Sequence, residues 1–455
     1  MSIFKDGLIR QGASVGTASL PYQIDQSIRF NDDDSAYLTR TQPTSTTTNK
    51  LFTISFWIKR NPGTNSIVYN GHYNSSNFNW LGFANDDTFF VQFYSGGNNI
   101  FVQTTNRKFR DPAAWYHIVY IYDSAEAVST ERTRLYVNGQ RETLVQYTSN
   151  TLYPSQNGSH YWIYTGVSNN IGLRASDNLR LDAYIAELAM FQDQEYGPEN
   201  FGEYNSSNIW IPKDGIADLN FGDSGFYIKG EDSSDLGNDS GTANSGSGWD
   251  FTVSGLAAND QRTDSPTNNY CVMNPLVPGS ATFANGNLDL SYSASAWTTA
   301  RGSIGIPYNS GIYYYEAKVI SHAIYLSFGW GDVDMGANQN NNPATPKFFV
   351  YGDYNGKYYS STDDGTIGDA WDNNDVIGLW YDSGSTSNNL KFYRNGTLQS
   401  SGTKSFDFSD VAHVTAITQF YSSNSVEYRF DPAYWTNAPS GITESNAINS
   451  RNLGS

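Results

Sequence analysis

The segment Asp375–Leu398, DVIGLWYDSGSTSNNLKFYRNGTL, reads as two strands joined by a polar loop and followed by a tight turn. Val376, Gly378 and Trp380 alternate with Ile377, Leu379 and Tyr381. Both sets are largely apolar, so this strand is expected to be covered on both faces. The second strand, Leu390 to Arg394, runs into Asn395-Gly396. Asn-Gly accepts the positive φ angles of a type I′ turn and so marks a β-hairpin. The same phrase occurs earlier in the chain, as YHIVYIYD (Tyr116 to Asp123) and RLYVNGQ (Arg134 to Gln140). The two copies lie too far apart for a solenoid repeat, which points to two β domains that share a local device.

Composition agrees with this. Among 455 residues, 16% are charged and 15% aromatic, with 33 Tyr and 41 Gly. Aromatic strands separated by Gly, Asn and Ser turns characterise antiparallel β proteins. The expected fold class is all-β: two antiparallel β-sandwich (jelly-roll) domains joined by a Gly/Ser/Asp-rich connector. A net charge of −18 excludes nucleic acid and anionic membrane surfaces as partners, since both require clustered Lys and Arg. The single cysteine, Cys271, permits no intrachain disulfide and fits a buried thiol. No apolar run reaches signal-peptide or membrane-spanning length, so the chain is expected to fold in a cytoplasm.

From Tyr22 onward short strands alternate with turns. TISFWIK (Thr53 to Lys59) sets Ile54, Phe56 and Ile58 on one face, against Thr53, Ser55, Trp57 and Lys59. The ordered set SIRFNDDDSAYLT, FTISFWIKR, WYHIVYIYD, RLYVNGQ, IGLR and LDAYIAELAMF resembles laminin-G-like, or concanavalin-like, jelly rolls over Tyr22 to Gln192. The later set SGIYYYEAKV, IYLSFGWGD, DVIGLWYD, LKFYRNG and HVTAITQF resembles a SPRY domain, which implies a β-sandwich that binds through loops at one rim. Between them, Lys229 to Gly248 reads as a loop or linker, and DFTVSGL (Asp250 to Leu256) as a closing strand of the first domain. The expected division is an N-terminal docking segment (1–20), a laminin-G-like domain (21–256), a connector (257–280), a SPRY-like domain (281–432) and a C-terminal coil (433–455). The block Ala281–Pro432 is expected to fold by itself.

Candidate chemistry is sparse. A glycosidase needs two carboxylates on one face, ~5–9.5 Å apart. Asp182 and Glu187 of LDAYIAELAMF are five residues apart, which on a regular strand sends them to opposite faces, with Glu187 at the surface or rim. His117 and His413 lie within apolar strands and are expected to be packed. Calcium is the one metal that the laminin-G resemblance implies, with Asp32, Asp33 and Asp34 as ligands and Asp86-Asp87 and Asp363-Asp364 as further acidic turns. For a carbohydrate or peptide ligand the candidates are aromatics beside turn-rich sequence: Tyr73 and Trp80, Trp330 with Asp332, and Trp371 with Asp372.

The opening MSIFKDGLIRQGAS, the stretch DSPTNNYCVMNPL and the passage TFANGNLDL resemble virion proteins of tailed marine bacteriophages. That resemblance implies a tail fibre, head fibre or other exposed appendage, located on the virion and without enzymatic activity, that contacts other virion proteins and host surface glycans. It also implies a homo-trimer. Ile3, Phe4, Leu8 and Ile9 form an apolar cluster ahead of the first domain; such residues gain ~1.5–3 kcal/mol each only when buried, so they are expected to dock on a neighbouring subunit or another virion protein. Alternatives from other classes are a purely structural decoration protein and a secreted polysaccharide-active enzyme.

Overall fold

Ile377, Leu379 and Tyr381 point into a large apolar cluster, while Trp380, on the other face of the same strand (Val376–Asp382), packs with Tyr314 and Tyr393 under Trp435 and Ile442. The strand is therefore covered on both faces, as its composition requires. The computed structural model describes residues 21–42, 50–147, 151–162, 166–241, 249–277, 279, 281–335, 347–353, 356–360 and 364–453. Both Asn-Gly turns take the same left-handed shape, with φ of +49° and +77° at Asn138-Gly139 and again at Asn395-Gly396.

Among the described residues there is no α-helix, and every strand pairing is antiparallel. The first domain is a sandwich of two eight-stranded sheets, counted over the described residues. One sheet is centred on Leu51–Arg60, flanked by Tyr116–Asp123 and Ala183–Gln192. The other runs from Leu144–Gln146 through Thr88–Ser95 and Ser66–Asn74 to Tyr37–Thr41 and Thr252–Ser254. The last of these is the closing strand expected from DFTVSGL. Phe52, Ile54, Phe56 and Ile58 alternate into the space between the sheets, where they meet Val68, Leu81, Val91 and Phe93. The second domain repeats the plan with two seven-stranded sheets, again counted over the described residues. Its sheets enclose Tyr315, Phe328, Trp330, Leu379 and Phe420.

A bulge interrupts Ala183–Gln192. Ala183 and Ile185 face the inter-sheet core, and so do Leu188 and Met190, whereas Tyr184, Ala186, Ala189 and Phe191 face outward. The register against Leu51–Arg60 slips between Ala186 and Ala189, so that Glu187 is the inserted residue. It adopts φ of +49°, the left-handed region that long side chains rarely enter.

The domain bounds require correction. Gln261–Arg262, placed in the connector, pairs with Ser27–Phe30 as an edge strand of the first sheet. Cys271, Val272 and Met273, also placed in the connector, lie in the second core, and so does Ile448 from the supposed C-terminal coil. Residues 229–241 of the expected loop or linker are not free either: Leu236 is buried in the first core, and Asp239 holds the Arg40 guanidinium. The domains also meet directly. The Gly286 amide donates to Asp182 Oδ1 at 3.0 Å, Thr263 Oγ1 to Asp431 Oδ2 at 2.7 Å, and the Arg262 guanidinium lies 3.3 Å from the centre of the Tyr434 ring.

Candidate functional site

A cleft of about 710 Å³ opens at this junction, on the outer side of the first sheet. Its most prominent feature is Trp210, carried by the two-stranded ribbon Gly202–Tyr204 and Trp210–Pro212. The turn between those strands is built by Asn205, whose Oδ1 accepts the amides of Ser207 and Ile209, each at 2.9 Å. The indole is fixed on both sides by glycines. A Cβ on Gly139 would fall 2.4 Å from the Trp210 ring, and one on Gly202 2.5 Å from it. The Asn-Gly hairpin that identifies the fold therefore also seats the ring. Tyr204 closes edge-on at 5.0 Å and donates its hydroxyl to Asn138 O at 2.9 Å.

Beneath the cleft lies His117, fully buried. Trp210 Nε1–H donates to its Nδ1 at 3.1 Å, and its Nε2 lies 3.0 Å from Ser55 Oγ. Indole N–H is donor-only, so Nδ1 is the acceptor and the ring proton sits on Nε2, donating to Ser55. Burial pushes the imidazole down to about 3, which keeps this tautomer neutral at ordinary pH. Its ring stacks on Trp57 at 4.7 Å and Trp210 at 5.9 Å. His117 is packed, as expected, and it also orients Trp210. His413 is exposed at the start of its strand, contrary to expectation.

Around these rings the cleft presents Gln23, Asn138, Gln140, Asn208 and Thr267, with Tyr22 on one wall. Among the described residues lining it none is Asp or Glu, although the chain carries 45 of them. Arg107, its one charged side chain, is paired with Glu142 at 2.6 Å. The site thus offers aromatic faces and neutral hydrogen-bonding groups. One prediction arises here. Gly139→Ala should cost about 1–2 kcal/mol for the left-handed backbone, and a further loss for displacing Trp210. Gly97→Ala, at a φ of +79° with no atom within 4 Å of the added Cβ, isolates the backbone part. Thermal unfolding of the two variants should rank Gly139→Ala the lower.

The candidates named from sequence do not converge. Trp330 is completely buried, edge-on to Tyr315 at 5.0 Å, and Trp371 packs edge-on to Tyr351 at 4.4 Å. Neither presents a face to a ligand. Trp330 follows Leu326 and Phe328 on the inward side of Ile324–Asp332, a phase that outweighs its flanking Gly and Asp residues. Trp80 is covered by Phe90 and by the Arg174 guanidinium at 4.8 Å. Tyr73 is exposed, stacked against Tyr161 at 6.2 Å. Asp332 accepts the Asp334 amide in a turn, and Asp372 is exposed. None of the six lines the cleft.

Asp32, Asp33 and Asp34 are exposed on their turn, and among the described residues no three His, Cys, Asp or Glu side chains are grouped to hold a metal. Asp87 instead receives the buried Arg60 guanidinium at 2.8 Å, and Asp86 pairs with Lys108 at 2.6 Å. Asp363 and the docking residues Ile3, Phe4, Leu8 and Ile9 lie outside the described residues. Glu187 is buried rather than at the surface. The bulge cancels the parity that separated it from Asp182. The two acids nevertheless have different partners: Asp182 accepts from Asn61 and the Gly286 amide, Glu187 from Tyr22 and Tyr227.

Residues 31–194 match the family model of the concanavalin A-like lectin/glucanases superfamily, of laminin-G type. The first domain is concanavalin-like. Among solved structures similar to the chain are the SPRY domain of human HERC1 (18% identity, 33% of this chain and 91% of that one, TM-score 0.27), a native heptameric SAP-like pentraxin from Limulus polyphemus (13%, 42% and 93%, 0.30) and domains LG4-5 of the mouse laminin alpha1 chain (9%, 97% and 91%, 0.31). No curated protein matches the chain.

Proposed function

We propose that this chain is a non-enzymatic recognition protein, an exposed virion appendage whose junction cleft takes a neutral glycan of the host surface. The observation that carries the reading is the preorganised Trp210 with Tyr204 and the surrounding amides, in a cleft with no carboxylate among its described lining residues. Sugar rings present apolar C–H faces to aromatic rings and hydroxyls to amide groups, and a cleft of this size lies in the range of small-ligand sites. An acidic chain that keeps carboxylates out of one cleft also removes the general acid and base that glycoside hydrolysis requires. The virion assignment is supported by the resemblance of the opening and junction segments to phage proteins; Pro266, Thr267 and Asn269 of the second segment line the cleft. The SPRY-like reading of the second domain rests on its motif order. The trimer belongs to the same reading, because several weak sites on one particle raise avidity by ~10²–10⁴.

The test is a panel of neutral and acidic glycans presented to the purified chain. Binding to a neutral glycan is expected, with no release of reducing ends. Trp210→Ala should weaken it by about 2 kcal/mol or more, roughly thirty-fold in Kd. If the wild-type chain binds no glycan, the structural decoration role becomes the better account. If Trp210→Ala binds as the wild type does, the cleft is misassigned.

A further inference from the structure

The Tyr22 wall of the cleft is held by the residue that breaks the regularity of the sheet. Glu187 is inserted at the bulge with φ of +49°, a conformation that persists only where surrounding contacts impose it. Its Oε1 accepts two phenol hydroxyls, from Tyr22 at 2.5 Å and Tyr227 at 3.0 Å. Among the described residues its Oε2 has no partner, although it is buried. Glu187 borders a cavity of about 50 Å³ that shares Tyr22 and Gln23 with the cleft as lining residues.

The charged and titratable groups facing Glu187 come from three elements. The N-terminal stretch brings Tyr22 and Asp25. The strand Phe226–Ile228 and the residues after it bring Tyr227, Lys229 and Glu231, and a loop brings Asp214. Lys229 is the one cation, and it is itself ion-paired with Glu231. The two phenol hydroxyls favour an ionised Glu187, but its burial, with no donor on the other oxygen and no cation of its own, opposes ionisation more strongly. Movement of residues 21–23 would relieve this by admitting water. Ile24, whose amide donates to Thr267 Oγ1 at 3.1 Å and whose carbonyl accepts from it at 2.9 Å, anchors the far end of that stretch.

From this geometry we infer that Glu187 is a proton-responsive positioning residue: neutral, it clamps Tyr22 against the sheet as a wall of the cleft, and ionised, it releases Tyr22 and widens the cleft. The relevance to recognition rests on the glycan reading above; the clamp itself does not. Burial pushes Glu187 up to about 7. Between about pH 5.5 and 8.5 the ratio of the clamped form to an open form with an ordinary carboxyl should therefore fall roughly thirty-fold.

The experiment is hydroxyl-radical footprinting of the full chain without glycan, between about pH 5.5 and 8.5, read at residue 22 and normalised to the exposed Tyr73. In the wild type, labelling of Tyr22 should rise with pH. In Glu187→Gln, which keeps the shape and cannot ionise, it should stay low throughout. Tyr22→Phe lacks the clamping hydroxyl and leaves the core untouched, so its residue 22 should be labelled equally at both extremes. A flat wild-type profile, or the same rise in either variant, overturns the clamp. Failure to find a glycan ligand leaves these outcomes unchanged and counts only against the cleft.

Discussion

The fragment Ala281–Pro432 is expected to unfold without a cooperative transition, whereas the full chain should show one. The motif order of the second domain is complete within that fragment, but its core is not. Val272, Met273 and Ile448 are fully buried in the second cluster and lie outside the fragment. Each forfeits ~1.5–3 kcal/mol when it is missing, so the three together cost roughly 5–9 kcal/mol. That is comparable with the whole stability of a domain, about 5–15 kcal/mol. A second loss is electrostatic. Glu316 is buried in the strand Ile312–Ser321, and the amides of Thr436 and Asn437 donate to its two oxygens at 2.9 and 2.8 Å. Ending the chain at Pro432 removes both donors and leaves Arg429, 3.6 Å away, and the Tyr314 hydroxyl as partners. A buried carboxylate stripped of hydrogen bonds is among the most destabilising defects available to a core. Denaturant unfolding followed by tryptophan fluorescence decides the matter. A sigmoidal transition in the fragment would mean that the flanking segments only decorate the sandwich, while a fragment running from Asn268 to Leu453 should recover cooperativity.

Much of this architecture is legible from local pattern, because period-two alternation and turn chemistry act over a few residues. Ile54, Phe56 and Ile58 face the core as their spacing requires, and both Asn-Gly pairs form the turns that their φ preferences allow. The closing strand Thr252–Ser254 was visible for the same reason. The cleft was not. Its walls come from residues 22, 57, 115, 138, 204, 208, 210 and 267, which share no period and meet only after the first domain and the stretch leading out of it are assembled. The one local clue was the segment Tyr204–Trp210, two aromatics flanking Asn-Ser-Ser-Asn, which is a turn signal with a ring on either side. Glu187 was misplaced for a different reason. Parity counting assumes an uninterrupted strand, and one inserted residue reverses every assignment beyond it. Nothing in the composition of Ala183–Gln192 announces the bulge.

Asp264→Ala is expected to destabilise the chain by about 3–5 kcal/mol, the cost of removing one member of a buried ion pair. Lys59 projects from the outward face of Leu51–Arg60, opposite Ile54, Phe56 and Ile58. Its side chain is nevertheless 1% exposed. Its ammonium donates to Asp264 Oδ2 at 2.8 Å, Asn269 Oδ1 at 2.8 Å and Tyr270 O at 2.6 Å, which uses all three protons. Asp264 Oδ1 accepts from Trp115 Nε1 at 3.0 Å. The pair thus ties the first sheet to the stretch 264–270 that leads into the second domain and lines the cleft. Deleting the carboxylate leaves the ammonium with two neutral acceptors and no counter-charge, and it leaves the Trp115 indole N–H without its partner. Lys59→Met removes the charge and keeps a chain of similar length, so the double variant Lys59→Met/Asp264→Ala should be more stable than Asp264→Ala alone. A double-mutant cycle measured by chemical unfolding gives the coupling directly, and values above about 1 kcal/mol are expected for groups in contact. Additive effects would show that the two charges are screened by water and that the junction is held by packing alone.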